Sequence, residues 1–299
     1  MQMMSYPIIT HLLGAELLEK AKTPKPTARG TGLRYSSAFA CGRQQSYAAY
    51  EAEPTEPVDF AGAWVMGMGT LVHEALQEAI SRRFPNAEFE VASENDTSIV
   101  SGSCDAYIPA SDLGSDWTGG NVLYELKTMG TYSFDKQVGW NRMRGYVNAP
   151  EGPALKAIAQ AGMNALGIER ERGVKIDTII MGSITFEALS KQKSERMGIS
   201  DENRVLAEFL IERHEWEPLA QSEIIRMSQI SESLQNGFIA DRVARDDDGS
   251  AKVLSPEGSD WNCAYCAFRT VCSQDGPGMI WVNDSSLTVR KGSDSGQSN

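Results

Sequence analysis

Basic residues are in the minority: 28 Lys and Arg stand against 40 Asp and Glu, a net charge of -12. That balance excludes diffuse binding of a polyanion, because sequence-independent affinity for nucleic acid comes from cations that neutralise phosphates. No apolar run approaches the ~20 residues that span a bilayer, and the Met-rich start lacks a basic segment followed by a continuous apolar stretch. Neither a membrane nor export is indicated. Five cysteines are too few and too unevenly placed for a secreted disulfide scaffold, so a reducing cytoplasm is the expected compartment. What remains is a 299-residue chain, 41% hydrophobic, able to bury one large core or two modest ones.

Along the chain, a weak apolar pattern from Ile9 to Leu18 precedes Lys-Thr-Pro-Lys-Pro-Thr and predicts a loosely packed arm. Ser36 and Ser37 are candidate caps for a helix carrying Cys41, Arg43 and Tyr47. Leu71, Val72, Ala75, Leu76, Ala79 and Ile80 form an apolar stripe that predicts a helix from about Trp64 to Arg83, ended by Pro85, with His73 at the stripe's margin. Residues 87–128 read as an antiparallel strand meander. Period two puts Val100, Cys104, Ala106 and Ile108 on one face of its second strand and Asp105 on the other. It likewise places Glu125 and Lys127 opposite Val122, Tyr124 and Leu126. A helix from Pro153 to Gly167 with Lys156, Gln160 and Asn164 on its polar face, a strand over 176–186, and two helices at 201–217 and 221–235 split by Pro218 complete the core. The tail at 284–299, rich in Ser and Gly, is expected to be disordered.

Asp105 and the run Tyr124-Glu125-Leu126-Lys127 carry the chemistry. Two carboxylates and a backbone carbonyl suffice as the protein's share of an octahedral Mg²⁺ shell, which Asp105, Glu125 and the Leu126 carbonyl can supply. His73 adds a nitrogen ligand and tilts the preference towards Mn²⁺. Lys127 would orient and acidify an attacking water or offset charge on a phosphate, which is what hydrolysis of a phosphodiester demands. Taken singly, each residue has an ordinary reading: a salt-bridging strand face, a strand-end acid, a satisfied core histidine, a helix-face amide at Gln160. The order His, Asp, Glu-x-Lys, Gln is what favours a site. Between 130 and 148, Tyr132, Trp140 and other aromatics alternate with Lys136, Arg142 and Arg144, a combination suited to unpaired bases and phosphates.

Cys263, Cys266 and Cys272 form C-x2-C-x5-C, and Cys41 makes a fourth thiol far upstream. Four thiolates are the ligand count for a [4Fe-4S] cluster or for structural zinc, and the single C-x2-C pair leans towards the cluster. Joining segments so distant in sequence would act as a clasp. Cys104 reads as core.

These residues resemble the RecB-like branch of the PD-(D/E)xK nuclease superfamily, in particular the cluster-bearing exonucleases associated with CRISPR systems and similar virus-encoded enzymes. The likeness runs from Ser36 to Cys272, on Ser-Ser-Ala-Phe-Ala-Cys-Gly-Arg at 36–43, Gly69 to His73, Gly102 to Asp105, Glu125-Leu126-Lys127, Gln160 and the cysteine triplet. Cys104 stands where the motif has proline, and Asn164 where the Gln motif carries Tyr. The resemblance implies an α/β restriction-endonuclease-like core, a central mixed sheet flanked by helices. It also implies a metal on His73, Asp105 and Glu125, catalytic roles for Lys127 and Gln160, and a structural [4Fe-4S] cluster on Cys41, Cys263, Cys266 and Cys272. The expected organisation is an arm and first-cysteine helix at 1–60, a nuclease core at 61–240, a cysteine lobe at 241–283 packed on the N-terminal segment, and the tail. The expected activity is metal-dependent exonuclease action on DNA, single-stranded by preference, in recombination, repair or CRISPR-type processing. Protein partners in recombination or CRISPR adaptation, and the host cytoplasm for a virus-encoded chain, go with it. Two rivals are a catalytically weak DNA-binding or adaptor subunit and a zinc-clasped structural protein.

Overall fold

The computed structural model describes residues 33–56, 58–94, 100–255, 260–275, 280–282 and 289–291. The expected arm at Ile9–Leu18 lies outside them. A six-stranded mixed sheet organises the rest: β1 (Leu33–Arg34), β2 (Glu88–Glu94), β3 (Val100–Ile108), β4 (Asn121–Met129), β7 (Ile176–Thr185) and β8 (Leu206–Glu212). A hairpin of β5 (Trp140–Asn141) and β6 (Tyr146–Val147) lies outside the sheet. β2, β3 and β4 are antiparallel neighbours, as the meander predicts; β4 and β7 run parallel, and β8 returns antiparallel along the edge.

Helices cover both faces. α1 (Gly42–Ala49) belongs to the N-terminal segment, and α2 (Phe60–Arg83) lies over one face of the sheet, its first turn capped by Asp59, which accepts from Gly62 N at 2.8 Å. Val72, Leu76 and Ile80 of α2 meet Ala106, Ile108, Val122, Tyr124 and Leu126. The apolar stripe is narrower than its sequence pattern, since Leu71, Ala75 and Ala79 are exposed. α3 (Thr131–Val138) follows β4, and α4 (Leu155–Arg172) covers the opposite face with Ile158, Ala161, Met163 and Ile168. After α5 (Lys191–Met197), α6 (Arg213–Gln235) packs over α4 through Trp216, Ala220 and Met227. Among the described residues no helix is long and apolar enough to cross a membrane.

Four local expectations are corrected. α4 runs past Gly167, where a Cβ would come within 2.6 Å of Ser93, so that glycine serves close helix-to-sheet approach; the helix ends at the left-handed Gly173 instead. Residues 206–212 are the edge strand β8, not helix, because pairing with β7 overrides a local pattern that fits either state. Pro218 sits inside α6 without dividing it. Ser36 and Ser37 form a short 3-10 turn and cap nothing; Cys41 is itself the residue preceding α1.

β3 holds the feature that shapes the site. β2 lies along one edge of it, so β4 and β1 must share the other. β4 pairs only with Ala106–Ile108 and β1 only with Val100–Ser101, which leaves residues 102–105 between them without a strand partner on that edge. Glu90, between Phe89 and Val91 that pair with Ala106 and Cys104, takes a positive φ of 48°, an uncommon value for a side-chain-bearing residue. Strand alternation breaks here. Val100 and Cys104 join the core under α4, whereas Ala106 and Ile108 join the core under α2, contrary to the single face that period two predicts.

The C-terminal segment folds back on the N-terminal one. β9 (Phe238–Ile239) pairs with β12 (Ile280–Val282), β10 (Val243–Arg245) with β11 (Ala251–Val253), and short helices α7 (Trp261–Ala264) and α8 (Arg269–Gln274) carry Cys263 and Cys272, with Cys266 in the loop between them. Thr55 and Glu56 N donate to Ala267 O, and the Glu56 carboxylate accepts from Thr270. Within 284–299, Val289–Lys291 form β13, paired with β12, where disorder is expected; the remainder lies outside the described residues.

Candidate active site

The split between β3 and β4 is filled by the Asp105 carboxylate. Its Oδ2 accepts from Leu126 N at 2.6 Å, and its Oδ1 lies 3.0 Å from His73 Nδ1 on α2. Asp105 thus bridges a strand it no longer pairs with and a helix on the sheet's flank. The same contact raises the His73 pKa, outweighing the opposing effect of burial.

On β4 the next side chain is Glu125, 2% exposed. Lys127 Nζ donates to Glu125 Oε1 at 2.8 Å and to Gln160 Oε1 at 3.2 Å, and Gln160 Nε2 donates to the same Glu125 oxygen at 2.9 Å. Gln160, on α4, therefore clamps both members of the Glu-x-Lys pair. Burial pushes the Glu125 pKa up, Lys127 pulls it down, and Asp105 adds to the rise. Glu125 Oε2 is buried with no hydrogen-bond partner, a costly condition for a carboxylate oxygen.

The structure brings together His73, Asp105, Glu125, Lys127 and Gln160. Leu126 contributes its N–H. Among the described residues no three His, Cys, Asp or Glu side chains form a preformed metal-binding group; Asp105 is paired with His73 and Glu125 with Lys127. Two features nonetheless suit a hard divalent ion. The 3.0 Å between His73 Nδ1 and Asp105 Oδ1 matches two adjacent ligands of an octahedral ion, which lie about 3 Å apart when each bond is ~2.1 Å. The orphaned Glu125 Oε2 offers a further acceptor.

The aromatic and basic segment divides into structural and exposed parts. Phe134 is buried and meets Trp140 edge-on at 5.3 Å; Arg142 lies over Trp140 and donates to Asp135 at 2.7 Å. Lys136 pairs with Glu151 at 3.2 Å. Tyr132 and Arg144 are exposed. Sequence reasoning missed a neighbouring polar pair: Ser183, beside Lys127 in the sheet, donates to Gln137 of α3 at 2.7 Å.

Cys41, Cys263, Cys266 and Cys272 line one cavity with Tyr47, Leu254 and Phe268. Burial raises the pKa of Cys41, Cys263 and Cys266, the last to about 11, and each is raised further by neighbouring cysteines. Opposing this, backbone N–H groups of Gln44 and Arg43 at the start of α1 favour a Cys41 thiolate, and Arg242 Nε donates to Cys272 Sγ at 3.1 Å. Nothing in the sequence singles out Arg242. Cys104 lies apart, wholly buried in the sheet core.

No family model matches this sequence, and no curated protein is similar to it. A solved structure described as "Crystal structure of SSO0001" is similar to the chain with a TM-score of 0.48 and 17% identity, covering 90% of this chain and 97% of that one.

Proposed function

We propose that this chain is a metal-dependent deoxyribonuclease of the RecB-like PD-(D/E)xK kind, hydrolysing phosphodiester bonds of DNA from single-stranded ends. The observation that carries the reading is the convergence of His73, Asp105, Glu125, Lys127 and Gln160 on one split in the sheet, with a buried glutamate oxygen left unsatisfied. Separately, each of these groups has a bland explanation; a shared locus suits phosphoryl chemistry better than any of them.

Asp105, Glu125 and His73 would hold Mg²⁺ or Mn²⁺, which supplies Lewis-acid stabilisation of the phosphate and acidifies a bound water. Lys127 lies within hydrogen-bond reach of Glu125, placing an ammonium where it can orient water or offset negative charge as the leaving oxygen departs. Gln160 holds that ammonium in place. Leu126 N fixes the aim of the Asp105 carboxylate. Exposed Tyr132 and Arg144 suit stacking on an unpaired base and contact with phosphate, with Lys136 exchanging Glu151 for the strand. The four cysteines would hold a [4Fe-4S] cluster, or zinc, as a structural clasp; their thiols line one apolar cavity with Arg242 to offset the charge.

Digestion of end-labelled single- and double-stranded DNA with Mg²⁺, Mn²⁺ or chelator tests the reading. Metal-dependent hydrolysis lost in K127A and D105A supports it. Tight DNA binding without cleavage under every metal condition would favour the adaptor alternative.

A further inference from the structure

We propose that Asn164 is a positioning residue for Asp105, acting through the backbone of β3. α4 turns two amides towards the sheet one helical turn apart. Gln160 grips Glu125 and Lys127 on β4, and Asn164, wholly buried, donates from Nδ2 to the Ser103 carbonyl at 3.0 Å. Ser103 lies two residues before Asp105, in the stretch of β3 that has left β1 and not yet met β4. A rigid helix that holds both strands fixes the separation of Asp105 from Glu125.

The surroundings leave Asn164 little freedom. A Cβ at Gly102 would come within 2.8 Å of Asn164 Oδ1 and 2.5 Å of Tyr35 Cδ2, so the glycine makes room for the amide. Asn164 Oδ1 is itself buried without a partner. Leucine fills a similar volume and carries no orphaned acceptor, so packing alone does not account for an amide here; the donated hydrogen bond does. The pattern gives the asparagine a task of its own, directed at the metal-binding carboxylate and not at DNA.

The catalytic consequence rests on the nuclease reading, whereas the positional claim does not, and the experiment has an arm for each. N164L keeps the volume and removes the donor; N164D keeps the shape and replaces the donor by an acceptor, and carries the same test should N164L fail to fold. Amide hydrogen exchange, measured without metal or DNA, is expected to accelerate roughly tenfold or more at Leu126, whose N–H Asp105 holds, with Leu123 on the same strand unchanged. With Mn²⁺ and single-stranded DNA, kcat is expected to fall with KM unchanged. Unaltered exchange at Leu126, or equal acceleration at Leu123 and Leu126, overturns the positioning role. A selective response at Leu126 in a protein that hydrolyses no DNA leaves positioning standing and removes the nuclease reading.

Discussion

Asp105 Oδ2 accepts from the Leu126 amide at 2.6 Å, although the two residues belong to strands that have ceased to pair at that point. A carboxylate thereby takes over a backbone ladder's work while its other oxygen faces His73. On the nuclease reading Asp105 would be both structural and chemical, and its variants should separate the two roles.

D105N retains an acceptor for Leu126 and loses the charge. His73, held above its ordinary value by Asp105, is expected to fall back towards ~6.5 in this variant. Imidazole NMR reads this directly, with three histidines in the chain. Because a raised value means that the fold favours imidazolium, this stabilisation is complete below the ordinary pKa and is lost as pH rises through the raised one. The Tm gap between wild type and D105N should therefore narrow as pH rises from ~6.5 through the raised His73 value. A His73 titration identical in both proteins would remove the assignment.

K127M removes the cation that faces Glu125 in its buried position. The expected cost is about 1–3 kcal/mol at neutral pH, discounted for the partial exposure of Lys127. Burial already raises the Glu125 pKa, so stability declines as pH rises from ~4.3 through the raised value, and losing Lys127 extends that decline upward. Urea titrations across pH should show a steeper loss in K127M, abolished in the E125Q/K127M double variant. Neither variant should hydrolyse DNA.

Purified anaerobically, the wild type should be brown and hold four iron and four acid-labile sulfide per chain, the stoichiometry of one [4Fe-4S] cluster. Replacing any of Cys41, Cys263, Cys266 or Cys272 by serine should bleach it and lower Tm. C104S is the control, buried away from the cavity, and should keep the metal. Colourless wild type carrying one tightly held zinc would select the other ligand.

Glu223 is wholly buried, accepts from Phe39 N at 2.8 Å and meets Arg226 and Arg245. It ties the N-terminal segment, α6 and β10 together. E223A leaves two guanidinium groups without their shared partner, an expected loss of about 3–5 kcal/mol by chemical denaturation. A loss under ~1 kcal/mol would show that water replaces the carboxylate.

The two arginines of the 130–148 segment should behave differently. R144A is expected to weaken single-stranded DNA binding uniformly and to reduce the salt slope by about one phosphate contact. R142A should mainly loosen α3, since Arg142 is engaged by Asp135 and the Glu187 carbonyl. Equal effects on binding would mean that both reach the strand.

The sequence made α2, the 87–128 meander and the 176–186 strand legible through local periodicity, whereas the grouping of His73, Asp105, Glu125, Lys127 and Gln160 was legible only from their order along the chain and the resemblance that order carries. Contacts between elements were hidden. Leu206-Ala207-Glu208-Phe209-Leu210-Ile211 satisfies helical and extended spacing alike, and only the vacant edge of β7 selects the strand. The change of face at Asp105 was equally hidden, since strict alternation assumes an unbroken strand. Asn164 stood in the polar row of α4, yet its partner is a backbone carbonyl, which no side-chain motif records.

The cysteine cavity joins residue 41 to residues 263–272. On a ribosome the first of these thiols emerges long before the others, with five of the six strands of the central sheet still to be made in between. On the proposed clasp, metal or cluster insertion would be a late event in the life of each molecule, and the newborn chain would spend its synthesis with the clasp open.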